Sequence, residues 1–315
     1  MIDLIGKRRW YFVISLVVIV PGLVAMVYST WVHGTPLRLS IDFTSGSFLE
    51  LRFEEPVPPS EVRAIYVDRG YLDTSVQSAD DGRTVCVRSK QLDQETKGGI
   101  VAELEARFGP ADELRYESVG PTVGREVTRA AMIAVVVGSF AILLFIIVAF
   151  RGVPKAFRYG VCAIAAMVHD VLVATGLFSI MGLVAGWEVD ALFLTAVLTV
   201  VGFSVQDTIV VFDRIRENLP KRRGEPYELV VNRSLLETLH RSLATQLNAM
   251  FVLAAILLFG GATIKQFVAV LLVGMVSGTY SSIFTAVPLL VVWETGEASA
   301  GLRRLFRRGT APATG

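Results

Sequence analysis

Six separate stretches of this chain are apolar for long enough to cross a bilayer, and that pattern leaves few folds open. They run from Trp10 to Val32, Ala130 to Phe150, Tyr159 to Gly186, Ala191 to Phe212, Leu243 to Ile264 and Phe267 to Trp293. Each meets the requirement of about 20 residues for a helix that crosses about 30 Å of hydrocarbon. A hydrophobic share of 53% and a mean hydropathy of +0.55 agree with a membrane protein rather than with two soluble domains in 315 residues. The net charge of +1 hides a strong segregation of basic residues along the chain.

That segregation sets an expected orientation. Lys7, Arg8 and Arg9 precede the first stretch, and Arg151, Lys155 and Arg158 separate the second from the third. Arg214, Arg216, Lys221, Arg222 and Arg223 follow the fourth, and Arg303, Arg304, Arg307 and Arg308 mark the tail, whereas the intervening short loops hold only Lys265. The positive-inside rule then places both termini in the cytoplasm. The first stretch is too long for a secretory signal core and lacks a small-x-small cleavage site, so it reads as an uncleaved anchor. Cys86 and Cys162 fall in segments too different to pair.

Between the first two spans lies a polar segment, residues 33–128, in which strand and helix signals alternate. Leu49, Leu51 and Phe53 alternate along a strand from Ser47 to Phe53 that ends at Pro56, Pro58 and Pro59. A short helix capped by Ser60 carries Val62, Ile65 and Tyr66 and stops at Gly70. Strands over Thr74 to Ser78 and Thr84 to Arg88 flank Asp81 and Gly82, a hairpin signal. A second helix over Gln94 to Phe108 and a last strand over Leu114 to Val119 complete the order βαββαβ, that of the ferredoxin-like fold. The fold class is therefore an α-helical membrane protein with six transmembrane helices and one α+β, ferredoxin-like extracytoplasmic domain between helices 1 and 2. The expected division is residues 1–32 for the N-terminus and first span, 33–128 for the outer domain, 129–293 for the remaining five spans with a cytoplasmic loop at 213–241, and 294–315 for a basic tail.

Several smaller features belong to this layout. The part of that loop from Glu225 to Arg241 has the pattern of an amphipathic helix feeding the fifth span, with a solvated connector as the plain alternative. Gly274 and Gly278 form a GxxxG pair that permits close helix approach. Pro21 and Pro288 are expected to kink their helices, and the sequon at Asn232, on the cytoplasmic side, reads as a chance match.

No Walker A, zinc-protease or nucleophile-elbow pattern is present, which argues against an enzyme and leaves no call for a cofactor or a metal. Chemistry has to come from the charged groups inside the spans, and Asp207 stands alone in the fourth. A charge near a helix centre costs roughly 2.5 to 3.5 kcal/mol, so an intramembrane carboxylate points first to a proton or ion relay. Burial disfavours the ionised form of a carboxyl and a nearby cation favours it, so moving the cation switches proton affinity. Thr238, Arg241, Thr245 and Asn248 recur at helical spacing as a polar stripe entering the fifth span, and Ser204, Asp207, Val211 and Arg214 share a face of the fourth. Asp207 and Arg241 are expected to meet across the helices, with Ser204, Thr208, Thr238, Thr245 and Asn248 as the supporting polar face. A static ion pair joining two helices is the plain alternative. His169 and Asp170 lie about 17 Å into the third span. Asp170 serves either the relay or an interhelical contact, and His169 reads as structural. Asp213 reads as a solvated carboxylate beside Arg214 and Arg216.

Several of these segments resemble a known family. Residues 119–124, Val-Gly-Pro-Thr-Val-Gly, residues 203–218 from Phe203 through Asp207, Asp213 and Arg214 to Asn218, the Asn232-Arg233-Ser234-Leu235 run and residues 238–243 are similar to the motifs of the SecD/SecF family of protein-export membrane proteins, within the resistance-nodulation-division superfamily. His169-Asp170 with Gly176 is similar as well. Asp42-Phe43-Thr44-Ser45-Gly46 resembles the family's DFTGG element, with Ser45 in place of the first glycine; a position that needs positive φ would be strained by serine. The resemblance implies a half of a twelve-span assembly, a SecD partner, the SecYEG translocon and exported preprotein chains as further partners, and no nucleic acid. It implies use of proton motive force across the bacterial cytoplasmic (inner) membrane, with the family's functional Asp at Asp207 and its functional Arg at Arg241. Asp42, Gly46, Gly120, Pro121, Gly124, Asp213 and Arg214 fall on family motif positions. Two other readings stand beside it: half of a small-molecule or lipid exporter, which the outer segment is too small to serve, and a translocase scaffold that moves no protons.

Overall fold

The computed structural model describes residues 3–79, 82–151 and 155–296. Asp81 of the expected hairpin and the arginines of the basic tail lie outside the described residues. Contacts divide the chain into two units, one of helices and one built on a small sheet.

The small unit holds Leu39 to Ala134 together with Glu188 to Ala191. It contains α2 (Ile41–Thr44), β1 (Gly46–Phe53), α3 (Pro59–Asp68), β2 (Ser75–Ala79), β3 (Thr84–Ser89), α4 (Gln94–Phe108), β4 (Ala111–Val119) and the beginning of α5 (Pro121–Phe150). The sheet is antiparallel throughout, with strand order β2-β3-β1-β4. That order is the ferredoxin-like one expected from the alternation of elements. Leu49, Leu51 and Phe53 of β1 turn to one face and are buried with Val85 and Val87 of β3, Val62, Ile65 and Tyr66 of α3, and Ile100 and Leu104 of α4. The local rules that make these elements are visible. Asp93 accepts the Thr96 N–H at 2.7 Å and caps α4, an arrangement that holds its carboxyl below the usual carboxylate range. Its contribution is therefore present above the ordinary carboxylate pKa and is lost as pH falls through the lowered folded value. Gly109, at φ 92°, ends the same helix. Helix α3 starts at Pro59 without a side-chain cap, so Ser60 lies inside it rather than capping it.

Ser45 is the departure from the family pattern, and it carries the strain anticipated for it. Its backbone sits at φ 62°, ψ 164°, a region essentially reserved for glycine. Its neighbour Gly46, at φ 128°, leaves no room for a side chain, because a Cβ would lie 2.5 Å from the Ser89 carbonyl oxygen. Ser45→Gly is expected to stabilise the protein by about 1 kcal/mol, the strain relieved less the extra entropy of glycine. Thermal unfolding of the purified chain checks this; an unchanged or lower midpoint contradicts it.

The helical unit contains α1 (Arg8–His33), most of α5, α6 (Ala156–Ala185), α7 (Ala191–Lys221), α8 (Tyr227–Phe259), α9 (Ala262–Ser281), a π-helical segment (Ser282–Ala286) and α10 (Val287–Glu294). Among the described residues, six helical runs are long and apolar enough to cross a membrane. The last of them is α9, the π segment and α10 end to end. Pro288 accounts for the π segment: it has no N–H for the Phe284 carbonyl, and its ring crowds that carbonyl, so the preceding turn widens. Helix α1 stays continuous through Pro21 and stops at Gly34, whose φ of 78° closes the last turn.

The helices run well past the apolar stretches. Helix α7 continues to Lys221 and α8 begins at Tyr227, so most of 213–241 is helix, and only a short turn joins the two. Near that turn Ile146, Tyr159, Cys162, Phe212, Ile215, Leu235 and Leu290 form the core, with Tyr159 edge-on to Phe212 at 5.2 Å. Elsewhere small residues bring helices together. A Cβ on Gly22 of α1 would fall 2.6 Å from the Cα of Gly176 of α6, backbone against backbone. The GxxxG pair of α9 behaves alike: Gly274 lies against Val200 and Gly278 against Ser204, both of α7.

Candidate functional site

Asp207 sits on the buried face of α7 and is 7% exposed. One turn earlier on the same face is Ser204, 1% exposed, whose backbone carbonyl accepts the Thr208 hydroxyl at 3.0 Å. Among the described residues, the Asp207 carboxylate takes one protein hydrogen bond, from Gln246 Nε2 of α8 to Oδ2 at 3.0 Å. This differs from the expected pairing with Arg241. The inward face of α8 is Thr238, Ser242 and Gln246, four residues apart and all buried, whereas Arg241, Thr245 and Asn248 are exposed. No ion pair joins the Arg241 guanidinium to a carboxylate among the described residues. Thr238 turns its hydroxyl to the Ser234 and Leu235 carbonyls and Thr245 to the Arg241 carbonyl, so neither reaches Asp207 in this chain.

The second intramembrane carboxylate is more enclosed. Asp170 of α6 is 0% exposed and is held at both oxygens by α9: Ser277 Oγ donates to Oδ1 and Ser281 Oγ to Oδ2, each at 2.6 Å. His169 Nδ1 lies 3.0 Å from Oδ1, and the His169 ring stacks on Tyr280 at 6.1 Å. Gly278 of α9 lies close to both Asp170 and Ser204: a Cβ there would stand 3.6 Å from Asp170 Oδ2 and 3.5 Å from Ser204 Cα, in ordinary van der Waals contact with both. Ser204 Oγ, Ser242 Oγ and His169 Nε2 are buried with no protein partner among the described residues. Asp170 is thus bonded by two serine hydroxyls and the His169 imidazole and Asp207 by one glutamine amide, and among the described residues no hydrogen bond joins the two groups.

The ends of α7 and α8 are joined by a separate polar clasp. Asn218, 4% exposed, donates from Nδ2 to Ser234 Oγ and to Glu237 Oε2, both at 2.9 Å. Arg214 bonds Glu237 at 2.6 Å and Glu217 at 2.7 Å, and Asp213 pairs with Arg216 at 2.5 Å. The polar end of the 203–218 motif thus has a structural reason, since it fastens onto the α8 segment that follows the turn. Asn232 is likewise no idle sequon. It is 4% exposed, and its Oδ1 accepts the Leu4 and Ile5 N–H groups at 2.9 and 3.4 Å, while Arg8 pairs with Glu228 at 3.1 Å. Gln246, Ser242, Ser277 and Ser281 escaped the sequence reading, and Asn218 and Asn232 entered it only as motif positions and a sequon. Their signal was present as polar residues four apart, Ser242 with Gln246 and Ser277 with Ser281.

In the small unit the two glycine-bearing motifs meet. Gly124, in the first turn of α5, packs against Ser45 Oγ and the Asp42 carbonyl, where no side chain fits. Pro121 opens α5, a position that needs no N–H, and Gly120 lies against Gln91.

Comparison with known proteins agrees with this layout. Residues 100–296 match the family model for the protein export membrane protein SecD/SecF, C-terminal, and residues 30–57 match the SecD/SecF GG motif. A protein translocase subunit SecF of Anaerolinea thermophila is 49% identical over 318 residues, with 100% of both chains covered. Another from Thermobaculum terrenum is 46% identical, with 98% of each covered. The crystal structure of SecDF, a translocon-associated membrane protein from Thermus thermophilus, superposes with a TM-score of 0.76 at 32% identity, covering 93% of this chain and 39% of that one. This chain thus spans about two fifths of the length of that SecDF chain. Fold, motifs and full-length identity lead to one conclusion: the chain belongs to the SecD/SecF family of protein-export membrane proteins.

Proposed function

We propose that this chain works with a SecD partner in the bacterial cytoplasmic membrane, drawing on proton motive force to promote export of polypeptides through the SecYEG translocon. The observation that carries the reading is Asp207, a carboxylate buried among membrane-spanning helices with one amide as its protein partner. An ionisable group in such a place is costly unless it is used. In this reading both termini are cytoplasmic, and residues 33–128 form the outer domain that handles the emerging chain. Asp207, Arg241 and Asp170 form the relay, and Ser204 and Thr208 line its path.

Arg241, Thr245 and Asn248 supply the case for the partner. They stand exposed on a helix that buries little of its apolar length, and a polar face is ill suited to lipid. The fitting occupant is a helix of the SecD half that brings a carboxylate opposite Arg241. The expected result is that Arg241→Met lowers proton-dependent stimulation of export in reconstituted vesicles by on the order of ten-fold, the effect of about 1.4 kcal/mol of lost coupling. It is also expected to weaken copurification with SecD. Unchanged values of both overturn the partner-facing role of Arg241.

A further inference from the structure

The residues that lead into α7 group with the small sheet unit rather than with the helices. Glu188 to Ala191 belong to that unit, and Ala191 is also the first residue of α7. The hold on them is made of several independent bonds. Leu39 pairs with Val189 as a parallel β-bridge, and the Ser40 N–H donates to the Val189 carbonyl at 2.9 Å. Arg88 of β3 forms an ion pair with Glu188, and its Nη1 donates to the Leu39 carbonyl at 3.3 Å. The last contact falls on the helix itself: the Ala191 N–H donates to Asp42 Oδ2 at 3.2 Å.

A helix begins with backbone N–H groups that have no partner within the helix, and a carboxylate is well suited to one of them by hydrogen bonding and by the helix dipole. Asp42 brings such a carboxylate to the Ala191 N–H from 149 positions earlier in the chain. Asp42 is itself held firmly. Its own N–H donates to Ser40 Oγ at 3.2 Å, Ser45 accepts a backbone geometry suited to glycine, and Gly46 lies against the Ser89 carbonyl. This rigid base is what a positioning group requires.

We propose that Asp42 is a positioning residue for the start of α7, the helix that bears Asp207: its carboxylate holds the first residue, Ala191, to the 39–46 segment. The assignment gives the acidic residue of the Asp42-Phe43-Thr44-Ser45-Gly46 element a physical role, and it rests on the proposed proton-driven function only for its consequence in export.

The test uses the full chain reconstituted with its SecD partner. Asp42→Ala is expected to speed amide hydrogen exchange at residues 191–195 by about five-fold, the usual effect of losing a cap, and to lower proton-dependent stimulation of export. Asp42→Asn retains an acceptor oxygen and is expected to restore both, a rescue that a general packing defect would not produce. If Asp42→Ala does not assemble, the pair Arg88→Glu with Glu188→Arg takes its place: each single change is expected to speed exchange at 191–195, and the double change to slow it again. Unchanged exchange in Asp42→Ala, or in both single changes, overturns the inference. Faster exchange with undiminished export overturns the positioning role. Absence of proton-dependent stimulation in the unaltered assembly counts against the proposed function instead, and leaves the exchange result to stand by itself.

Discussion

Asp207→Asn is expected to leave the assembled complex intact and to reduce export in inverted vesicles to the level seen without a proton gradient. The substitution is nearly isosteric and retains a side-chain oxygen for Gln246 Nε2, which now donates to Asp207 Oδ2 at 3.0 Å. What disappears is the ability to carry a proton. The energy at stake is sufficient to matter: one charge crossing the membrane is worth about 2.3 kcal/mol per 100 mV, and each pH unit adds about 1.36 kcal/mol. Reversing a two-state equilibrium from 1:99 to 99:1 requires about 5.5 kcal/mol, so a single proton supplies a sizeable part of it. A scaffold that moved no protons would show normal stimulation with asparagine in place. Comparison of export with and without the gradient, at equal amounts of copurified SecD, separates the two.

Gly176→Val is expected to destabilise the helical unit by about 1 to 3 kcal/mol or more, the cost of overpacking a close contact. A Cβ at Gly176 would stand 2.8 Å from the Cα of Gly22, so the obstacle is backbone that no rotamer change removes. Helix α1 must shift away from α6 to admit it, in the helix that carries His169 and Asp170 seven and six residues earlier. Gly202→Ala is the matched control. Nothing lies within 4 Å of the Cβ it would add, and helix propensity favours alanine by up to about 1 kcal/mol. Thermal unfolding of both variants in the same detergent checks the contrast; equal midpoints contradict the tight α1–α6 crossing.

Much of this architecture is legible in the chain because the bilayer imposes a length rule and the sheet imposes a period. Leu49, Leu51 and Phe53 alternate and are all buried, and Gln94 to Phe108 forms one helix with its cap at Asp93 and its stop at Gly109. The rotation of each membrane helix is less legible. Two polar stripes pass through Thr238, one through Arg241, Thr245 and Asn248, the other through Ser242 and Gln246. At about 100° per residue they drift in opposite directions around the helix. Charge drew attention to the first, because a buried carboxylate seeks a cation. The structure places the second against Asp207, since a glutamine reaches the carboxylate while Arg241 stands on the exposed side. A polar residue in a span faces something polar, but a single chain does not say whether that is its own helix or a partner's. The same ambiguity hid the Ser277 and Ser281 pair, whose hydroxyls look like ordinary small residues until Asp170 is placed between them.

The role of Asn232 was hidden for another reason. Its use depends on a contact 228 positions away in sequence, with the Leu4 N–H, and no local pattern announces such a partner. Ser45 shows the converse: a serine at a motif position otherwise held by glycine points by itself to strain wherever the turn needs positive φ, and its φ is 62°.

In the proposed mechanism the Asp207 side chain gains and loses a proton as the assembly works. Difference infrared spectroscopy of the reconstituted complex tests it most directly, by following the protonated-carboxyl stretch as the proton gradient is applied and reversed. A proton carried by Asp207 gives a band that rises and falls with the gradient and is missing in Asp207→Asn. A band that stays constant, or one that survives unchanged in the asparagine variant, would contradict it.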